Sequence, residues 1–205
     1  ASTKVDERVI HSMLPFLTEN YSNPNSPHLL GLKANEAIKT ARKQISELIG
    51  SSSNDLIFTS GATEALNLAI KGIAENSIKK GRHIITVATE HDAVLNTYKY
   101  LEYRGFDVTY LSVNSNGEID LQEYKDCIRD DTILVSIMHV NNEIGTIHPI
   151  REYATLAHQV GALFLSDCTQ SVGKIPVNVH DLGIDFLCFS HILIYLLIIL
   201  VLFFP

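Results

Sequence analysis

The stretch Leu56–Glu64 reads LIFTSGATE and contains the boundary between two kinds of secondary structure. Its first four residues, Leu56–Thr59, are apolar or β-branched, as in a short buried strand. Gly61 permits a sharp turn, and a helix is predicted to begin near Thr63, because Ser and Thr favour helix starts. A strand that passes directly into a helix through a tight turn is typical of α/β folds.

The same alternation continues along the chain. Strands are predicted at 55–59, 83–87, 107–112, 132–137, 163–166 and 184–189, and helices at 63–79, 91–104, 120–127 and 150–159. Repetition at this spacing predicts an α/β fold with a mostly parallel sheet and helices on both faces. Two amphipathic helices, Val5–Thr18 and Leu30–Leu48, are predicted ahead of the sheet.

The composition excludes several classes of function. The 205 residues carry a formal charge of −7 with both signs interspersed, so no nucleic-acid-binding surface is expected. The three cysteines are widely spaced, and no spacing typical of a metal site occurs. This cysteine content favours a reducing compartment, and the polar start Ala1–Arg8 does not resemble a signal peptide. We therefore expect a cytoplasmic protein, or one of the mitochondrial matrix if the source is eukaryotic.

Polar residues follow four of the predicted strands at the points where the strands end. Parallel strands direct their carboxyl ends to one edge of the sheet, so these residues should converge on one crevice. The helix start at Ala62 and Thr63 offers free N–H groups and a hydroxyl to a phosphate group. The alternative at this position is an ordinary capped helix.

The other three strand ends carry a carboxylate, an imidazole and an amide. Asp167 follows an apolar strand, and a buried carboxylate needs a partner such as a protonated pyridine nitrogen or, alternatively, the N–H groups of the next turn. His91 could stack on a cofactor ring or move a proton, or it could be a surface residue at a helix start. Asn142 could bind a ligand, or it could form a turn with Asn141.

Four longer motifs resemble a single enzyme family. They are SGATEALNLAIKG at 60–72, TEH at 89–91, DTILVSIMHVNNEIG at 131–145 and DCTQSVGKIP at 167–176. These motifs resemble cysteine desulfurases of the IscS/NifS kind, which are class-V enzymes dependent on pyridoxal 5′-phosphate (PLP). The resemblance covers about residues 1–190 and implies a fold of the PLP-transferase (aspartate aminotransferase-like) type, which we expect to be incomplete in this chain.

The resemblance also implies a domain organisation. Residues 1–20 would belong to a small domain, and residues 21–190 would form part of the PLP-binding large domain. Residues 191–205 would be an aberrant apolar tail.

The resemblance implies roles for individual residues around PLP. Ala62, Thr63 and Ser190 resemble the residues that bind the phosphate group. His91 resembles the catalytic histidine that stacks over the pyridine ring and assists proton transfer.

Three further residues resemble those that hold the ring. Asp167 resembles the partner of the pyridinium nitrogen, while Asn142 and Gln170 resemble the pair that binds the ring hydroxyl. No metal site is implied.

The sequence departs from the family after Ser190. The family continues with Gly-His-Lys, whose lysine holds the cofactor covalently, whereas this chain continues with His191 and Ile192 and contains no later lysine. None of the three cysteines matches the mobile-loop cysteine that accepts sulfur in the family. We therefore expect the 205-residue chain to be inactive by itself.

The apolar segment 192–204 allows three interpretations. It could result from a frameshift or boundary error in the gene, it could be a buried strand and helix of a variant fold, or it could be a membrane anchor. A spanning helix needs about 20 apolar residues, so membrane attachment is the least favoured interpretation.

The activity implied by the resemblance is the PLP-dependent removal of sulfur from L-cysteine. The products would be L-alanine and a persulfide, which supplies iron-sulfur cluster or thio-cofactor assembly. The implied partners are a second copy of the chain, as a homodimer, and iron-sulfur scaffold or sulfur-acceptor proteins. The alternatives are selenocysteine lyase, another class-V PLP enzyme, and a non-catalytic fragment that pairs with a full-length subunit.

Overall fold

The computed structural model describes residues 4–190 and the strand 198–202. The helices are α1 Glu7–Thr18, α2 Leu29–Ile49, α3 Ala62–Asn76, α4 Asp92–Tyr103, α5 Leu121–Cys127, α6 Ile150–Gln159 and α7 Val179–Leu182. The strands are β1 Leu56–Thr59, β2 His83–Val87, β3 Asp107–Leu111, β4 Thr132–Ser136, β5 Leu163–Asp167, β6 Phe186–Phe189 and β7 Ile198–Leu202.

The described strands form one seven-stranded sheet in the order β1-β7-β6-β5-β4-β2-β3. Strands β2 to β6 pair in parallel, whereas β7 is antiparallel to both of its neighbours, β1 and β6. Because β7 reverses the direction twice, β1 runs parallel to the other strands, and its carboxyl end reaches the same edge. The predicted α/β fold with a mostly parallel sheet is confirmed.

Helices cover both faces of the sheet, because the central strands bury consecutive apolar residues. Successive strand residues point to opposite faces, so Ile84 and Ile85 belong to different hydrophobic clusters. Helices α3 and α4 contribute Ile70 and Tyr98 to the cluster that contains Ile84. The opposite cluster contains residues of α2, α5 and α6 together with Ile85.

Capping and turn contacts set the helix boundaries. The predicted start of α5 at Asp120 is confirmed, since its carboxylate accepts hydrogen bonds from the N–H groups of Gln122 and Glu123. Helix α3 ends at Asn76, three residues earlier than predicted. The chain turns there to enter β2, and Lys80 donates hydrogen bonds to the carbonyl groups of Thr132 and Val160, each at 3.0 Å.

Helix α1 differs from the others because it buries none of its residues. Its apolar side chains Ile10, Leu14 and Leu17 are 47%, 52% and 59% exposed. This helix lies within the segment 1–20 that the sequence assigns to a small domain, and that division stays a prediction. No helix among the described residues is long and apolar enough to cross a membrane.

Strand β7 is the described part of the predicted apolar tail. Its residue Leu200 aligns with Ile57 of β1 and Cys188 of β6, which places the strand inside the sheet. The sequence offered a buried strand only as one of three interpretations of this segment. Residues 191–197 and 203–205 of the tail lie outside the described residues.

Candidate active site

A crevice of about 510 Å³ lies at the carboxyl ends of the parallel strands. Six of the seven predicted site residues line it: Ala62, Thr63, His91, Asn142, Asp167 and Gln170. They come from segments that follow β1, β2, β4 and β5, so the sheet topology brings together residues that are more than a hundred positions apart in sequence. The seventh residue, Ser190, is not part of the lining.

One end of the crevice is the start of α3, which carries Ala62 and Thr63. The residue before the helix is Gly61, and no side chain caps the first N–H groups. The carboxylate of Glu64 accepts hydrogen bonds from the N–H and the hydroxyl of Ser60, both at 2.6 Å, and these bonds lower the pKa of Glu64. The uncapped helix start therefore leaves its N–H groups available to an anion.

Asp167 is the last residue of β5 and is only 7% exposed. Burial raises the pKa of its carboxyl group, while hydrogen bonds from Thr169 and the charge of His91 oppose that shift. Its Oδ1 atom accepts a hydrogen bond from the N–H of Thr169 at 2.9 Å. No lysine or arginine in the described part of the chain pairs with this carboxylate. The site therefore favours a cationic ligand atom next to Asp167.

His91 lies at a helix start that borders the crevice, and its role in ring stacking and proton transfer stays a prediction. It is the N-cap of α4, where its Nδ1 atom accepts a hydrogen bond from the N–H of Ala93 at 3.1 Å. Its exposed side chain also lines the crevice. An Nδ1 atom that accepts a hydrogen bond leaves the ring proton on Nε2, so the imidazole has a defined tautomer.

The two adjacent asparagines have different roles. Asn141 is buried, and its Oδ1 atom accepts hydrogen bonds from the N–H groups of Glu143 and Ile144 at 2.9 and 3.1 Å. Its Nδ2 atom donates to the carbonyl group of Thr89 at 3.2 Å, which ties the loop to the segment after β2. Asn141 therefore forms the turn, and Asn142 lines the crevice.

Gln170 lies in the segment that follows β5, and Ser190 contacts that segment. The Oε1 atom of Gln170 accepts a hydrogen bond from the ammonium group of Lys174. The N–H of Ser190 donates to the hydroxyl of Thr169 at 3.3 Å, and Thr169 in turn contacts Asp167. Ser190 is therefore connected to the crevice through Thr169.

Two residues that line the crevice were not predicted from the sequence. Glu90 lines the crevice and is 5% exposed, and its Oε1 atom accepts a hydrogen bond from the N–H of Met138 at 2.5 Å. It is a carboxylate after a buried strand, the signal that identified Asp167, but attention fell on the neighbouring His91. Thr169 was also recognisable, because a residue two positions after an aspartate commonly donates its N–H to that side chain.

The donor set of the crevice fits PLP. An uncapped helix start and the hydroxyl of Thr63 suit a phosphate group, and a buried carboxylate without a cationic partner suits a pyridinium nitrogen. The amides of Asn142 and Gln170 can bind a ring hydroxyl. No group of three or more His, Cys, Asp or Glu side chains in the described residues could hold a metal ion.

Solved structures resemble this chain closely in three dimensions. A NifS-like protein superposes with a TM-score of 0.93 at 39% sequence identity, covering 98% of this chain and 56% of that protein. The structure titled "SspA in complex with cysteine" superposes with a TM-score of 0.92 at 39% identity, covering 98% of this chain and 59% of that chain.

Curated sequences give the same result. The chain is 51% identical over 198 residues to the cysteine desulfurase IscS of Pectobacterium carotovorum subsp. carotovorum (strain PC1), covering 95% of this chain and 49% of that protein. It is 52% identical over the same length to the cysteine desulfurase IscS of Pasteurella multocida (strain Pm70). The chain thus spans about half the length of the curated relatives it matches. The family model of aminotransferase class-V matches residues 1–192, and the chain therefore belongs to this family of PLP-dependent enzymes.

Proposed function

We propose that the crevice is the PLP-binding site of a cysteine desulfurase that acts on L-cysteine. The observation that carries this proposal is the buried carboxylate of Asp167, which has no lysine or arginine partner among the described residues and shares one crevice with the uncapped start of α3. The two ends match the two charged parts of PLP, a pyridinium nitrogen and a phosphate group. The relatives named cysteine desulfurase and the neighbour solved with cysteine support the choice of substrate.

When bound, PLP supplies an electron sink for the bonds around the substrate α-carbon. Asp167 would keep a proton on the ring nitrogen, because its carboxylate would stabilise the adjacent positive charge. The imidazole of His91 would stack on the ring and would move a proton through Nε2, since Nδ1 already accepts the Ala93 N–H.

The remaining predicted residues bind and orient the cofactor. Ala62 and Thr63 would hold the phosphate group through N–H groups and a hydroxyl. Ser190, the third predicted phosphate ligand, does not line the crevice and would act through its contact with Thr169. Asn142 and Gln170 would fix the ring hydroxyl. Together these contacts set the orientation of the ring relative to the substrate.

The complete reaction would release L-alanine and leave a persulfide for iron-sulfur cluster or thio-cofactor assembly. The proposed setting is a homodimer in the cytoplasm that hands sulfur to a scaffold or acceptor protein. The described cysteines do not line the crevice, since Cys168 and Cys188 are buried and Cys127 lies on α5. None of these three cysteines is therefore proposed as the residue that carries the persulfide.

The proposal is tested by titrating the 205-residue chain with PLP and following the cofactor absorbance. We expect saturable binding that inorganic phosphate weakens. Borohydride should attach no pyridoxyl group to a specific lysine, because none replaces the family lysine after Ser190. Alanine formation from L-cysteine should not exceed that of free PLP.

The role of the buried carboxylate is tested with Asp167→Asn, which should weaken PLP binding. Its matched control is Asp130→Asn, the same change at an exposed position before β4, which should bind PLP as the parent chain does. Absence of saturable binding would refute the assignment of the crevice. Stoichiometric labelling of Lys174, which contacts Gln170, would refute the non-covalent mode.

A further inference from the structure

Glu90 is a buried carboxyl group that the proposed cofactor contacts do not use. It follows β2, lines the crevice and is 5% exposed. Its Oε1 atom accepts the N–H of Met138, and its Oε2 atom is buried without a hydrogen-bond partner among the described residues. An unpartnered buried oxygen destabilises a charged carboxylate far more than a neutral acid.

Glu90 and Asp167 border the same crevice, and each disfavours a negative charge on the other. The titratable groups that interact electrostatically with Glu90 are Asp167, Tyr98 and Cys168, and none of them is a cation. Two carboxyl groups that are both buried beside one crevice are not both ionised at low energy, so one of them retains a proton.

The surroundings of the two groups decide which one is neutral. Asp167 receives the hydrogen bond of Thr169 and lies near His91, and both contacts favour its charged form. Glu90 has one N–H contact, and no cation among the described residues interacts with it electrostatically. Burial raises the pKa of Glu90 well above its ordinary value, and the charge of Asp167 adds to this shift.

We propose that Glu90 is a positioning residue that works as a neutral carboxylic acid in the wall of the crevice. Its Oε1 atom holds the Met138 N–H and therefore the backbone that leads from β4 into the loop of Asn142. Because Glu90 is protonated, Asp167 would be the single negative charge next to the bound ring. This second role rests on the proposed function, whereas the protonation of Glu90 does not.

Infrared spectroscopy of the unliganded chain near pH 7 tests the protonation directly. Ordinary carboxyl groups are ionised at that pH, so a carbonyl band of a protonated acid reports a buried one. We expect the band in the parent chain and in Asp167→Asn, because burial is the main cause of the shift. We expect Glu90→Gln to abolish it. Absence of the band in the parent, or its loss in Asp167→Asn but not in Glu90→Gln, would overturn the proposal.

PLP titration tests the positioning role. Glu90→Ala should weaken PLP binding about tenfold, since it releases the Met138 N–H. Glu90→Gln should recover most of that loss, because a neutral amide oxygen can accept the same hydrogen bond. If glutamine binds PLP as poorly as alanine, a neutral acid is not what the site requires and the proposal is wrong. If the parent itself does not bind PLP, the proposed function fails, while the infrared result still decides the state of Glu90.

Discussion

The two halves of the crevice are built in different ways. The ring half, which is proposed to hold the PLP ring, contains His91, Asn142, Asp167 and Gln170. Its residues lie at the ends of β2, β4 and β5, which pair directly with their parallel neighbours. The phosphate half, which is proposed to hold the phosphate group, contains Ala62 and Thr63 and follows β1. Strand β1 pairs with the rest of the sheet only through β7, among the described strands.

The two halves therefore depend on strand pairs of different sequence separation. Strand β4 pairs with β5, the next strand along the chain, whereas β1 pairs with β7, the last described strand. The strands of the ring half are almost fully buried, as in the pattern of β2 and β4. Strand β1 has four residues, and only Leu56 is buried. We therefore expect the phosphate half to be the less stable part of the site.

The largest expected effect comes from breaking the link between the halves with Leu200→Pro. Proline removes an N–H from a strand paired on both sides, where Leu200 aligns with Ile57 and Cys188. We expect the free energy of unfolding to fall by about 3 kcal/mol or more. Hydrogen exchange should show that the amides of β1 lose protection more than those of β4.

The matched control for this change is Leu202→Pro at the end of the same strand. Leu202 aligns with Phe186 and with no residue of β1. Its effect should be clearly smaller. Equal loss of protection in β1 and β4 after Leu200→Pro would show that the two halves unfold as one unit.

Asp167→Asn separates the halves by ligand chemistry. It removes the negative charge next to the proposed ring nitrogen, so PLP affinity should fall about tenfold or more. The affinity for inorganic phosphate should remain unchanged, because the phosphate half is intact. Titration with both ligands makes the comparison, and equal weakening of both would place Asp167 in the phosphate half instead.

Thr63→Ala makes the complementary change and should have a smaller effect. The variant loses one hydroxyl but keeps the N–H groups of the α3 start, so affinity should fall by about two- to fivefold. Unlike Asp167→Asn, it should weaken both PLP and inorganic phosphate. Isothermal titration of the two ligands measures this, and loss of PLP binding alone would contradict it.

The smallest expected effect is a pH dependence of the free energy of unfolding, caused by buried histidines next to the ring half. Burial lowers the pKa of His139 and His148, which lie on either side of the Asn142 loop. At these two histidines the unfolded chain binds more protons than the folded chain below pH about 6.5, so their contribution to stability should decrease as the pH falls. The raised pKa of Glu90 contributes in the opposite sense, because folded Glu90 keeps a proton that the unfolded chain releases.

Urea unfolding between about pH 7.5 and pH 5.5 measures this dependence. His148→Asn should lower the slope of the unfolding free energy against pH. The remaining slope should combine His139 and His83, whose pKa burial also lowers, with the opposite contribution of Glu90. A variant with the slope of the parent chain would exclude His148 as a contributor.

Much of the fold could be predicted from the sequence, because the central strands are apolar runs separated by helical patterns. The six strands predicted within 55–189 all occur, and their boundaries differ by at most two residues. Strand β7 could not be assigned in the same way. A uniformly apolar segment is compatible with a buried strand, a buried helix or a membrane segment, and only its neighbours distinguish them.

The sequence by itself also determined which residues follow the strands, and its motifs identified Asp167, His91 and Asn142 as candidates. Only the tertiary structure decided that Asn141 forms the turn, that Ser190 reaches the crevice through Thr169, and that Glu90 shares the site with Asp167. The physical reason is that hydrogen-bond partners and burial depend on segments distant in sequence. Strand ends can be recognised locally, whereas the environment of each side chain is set by the strands packed beside it.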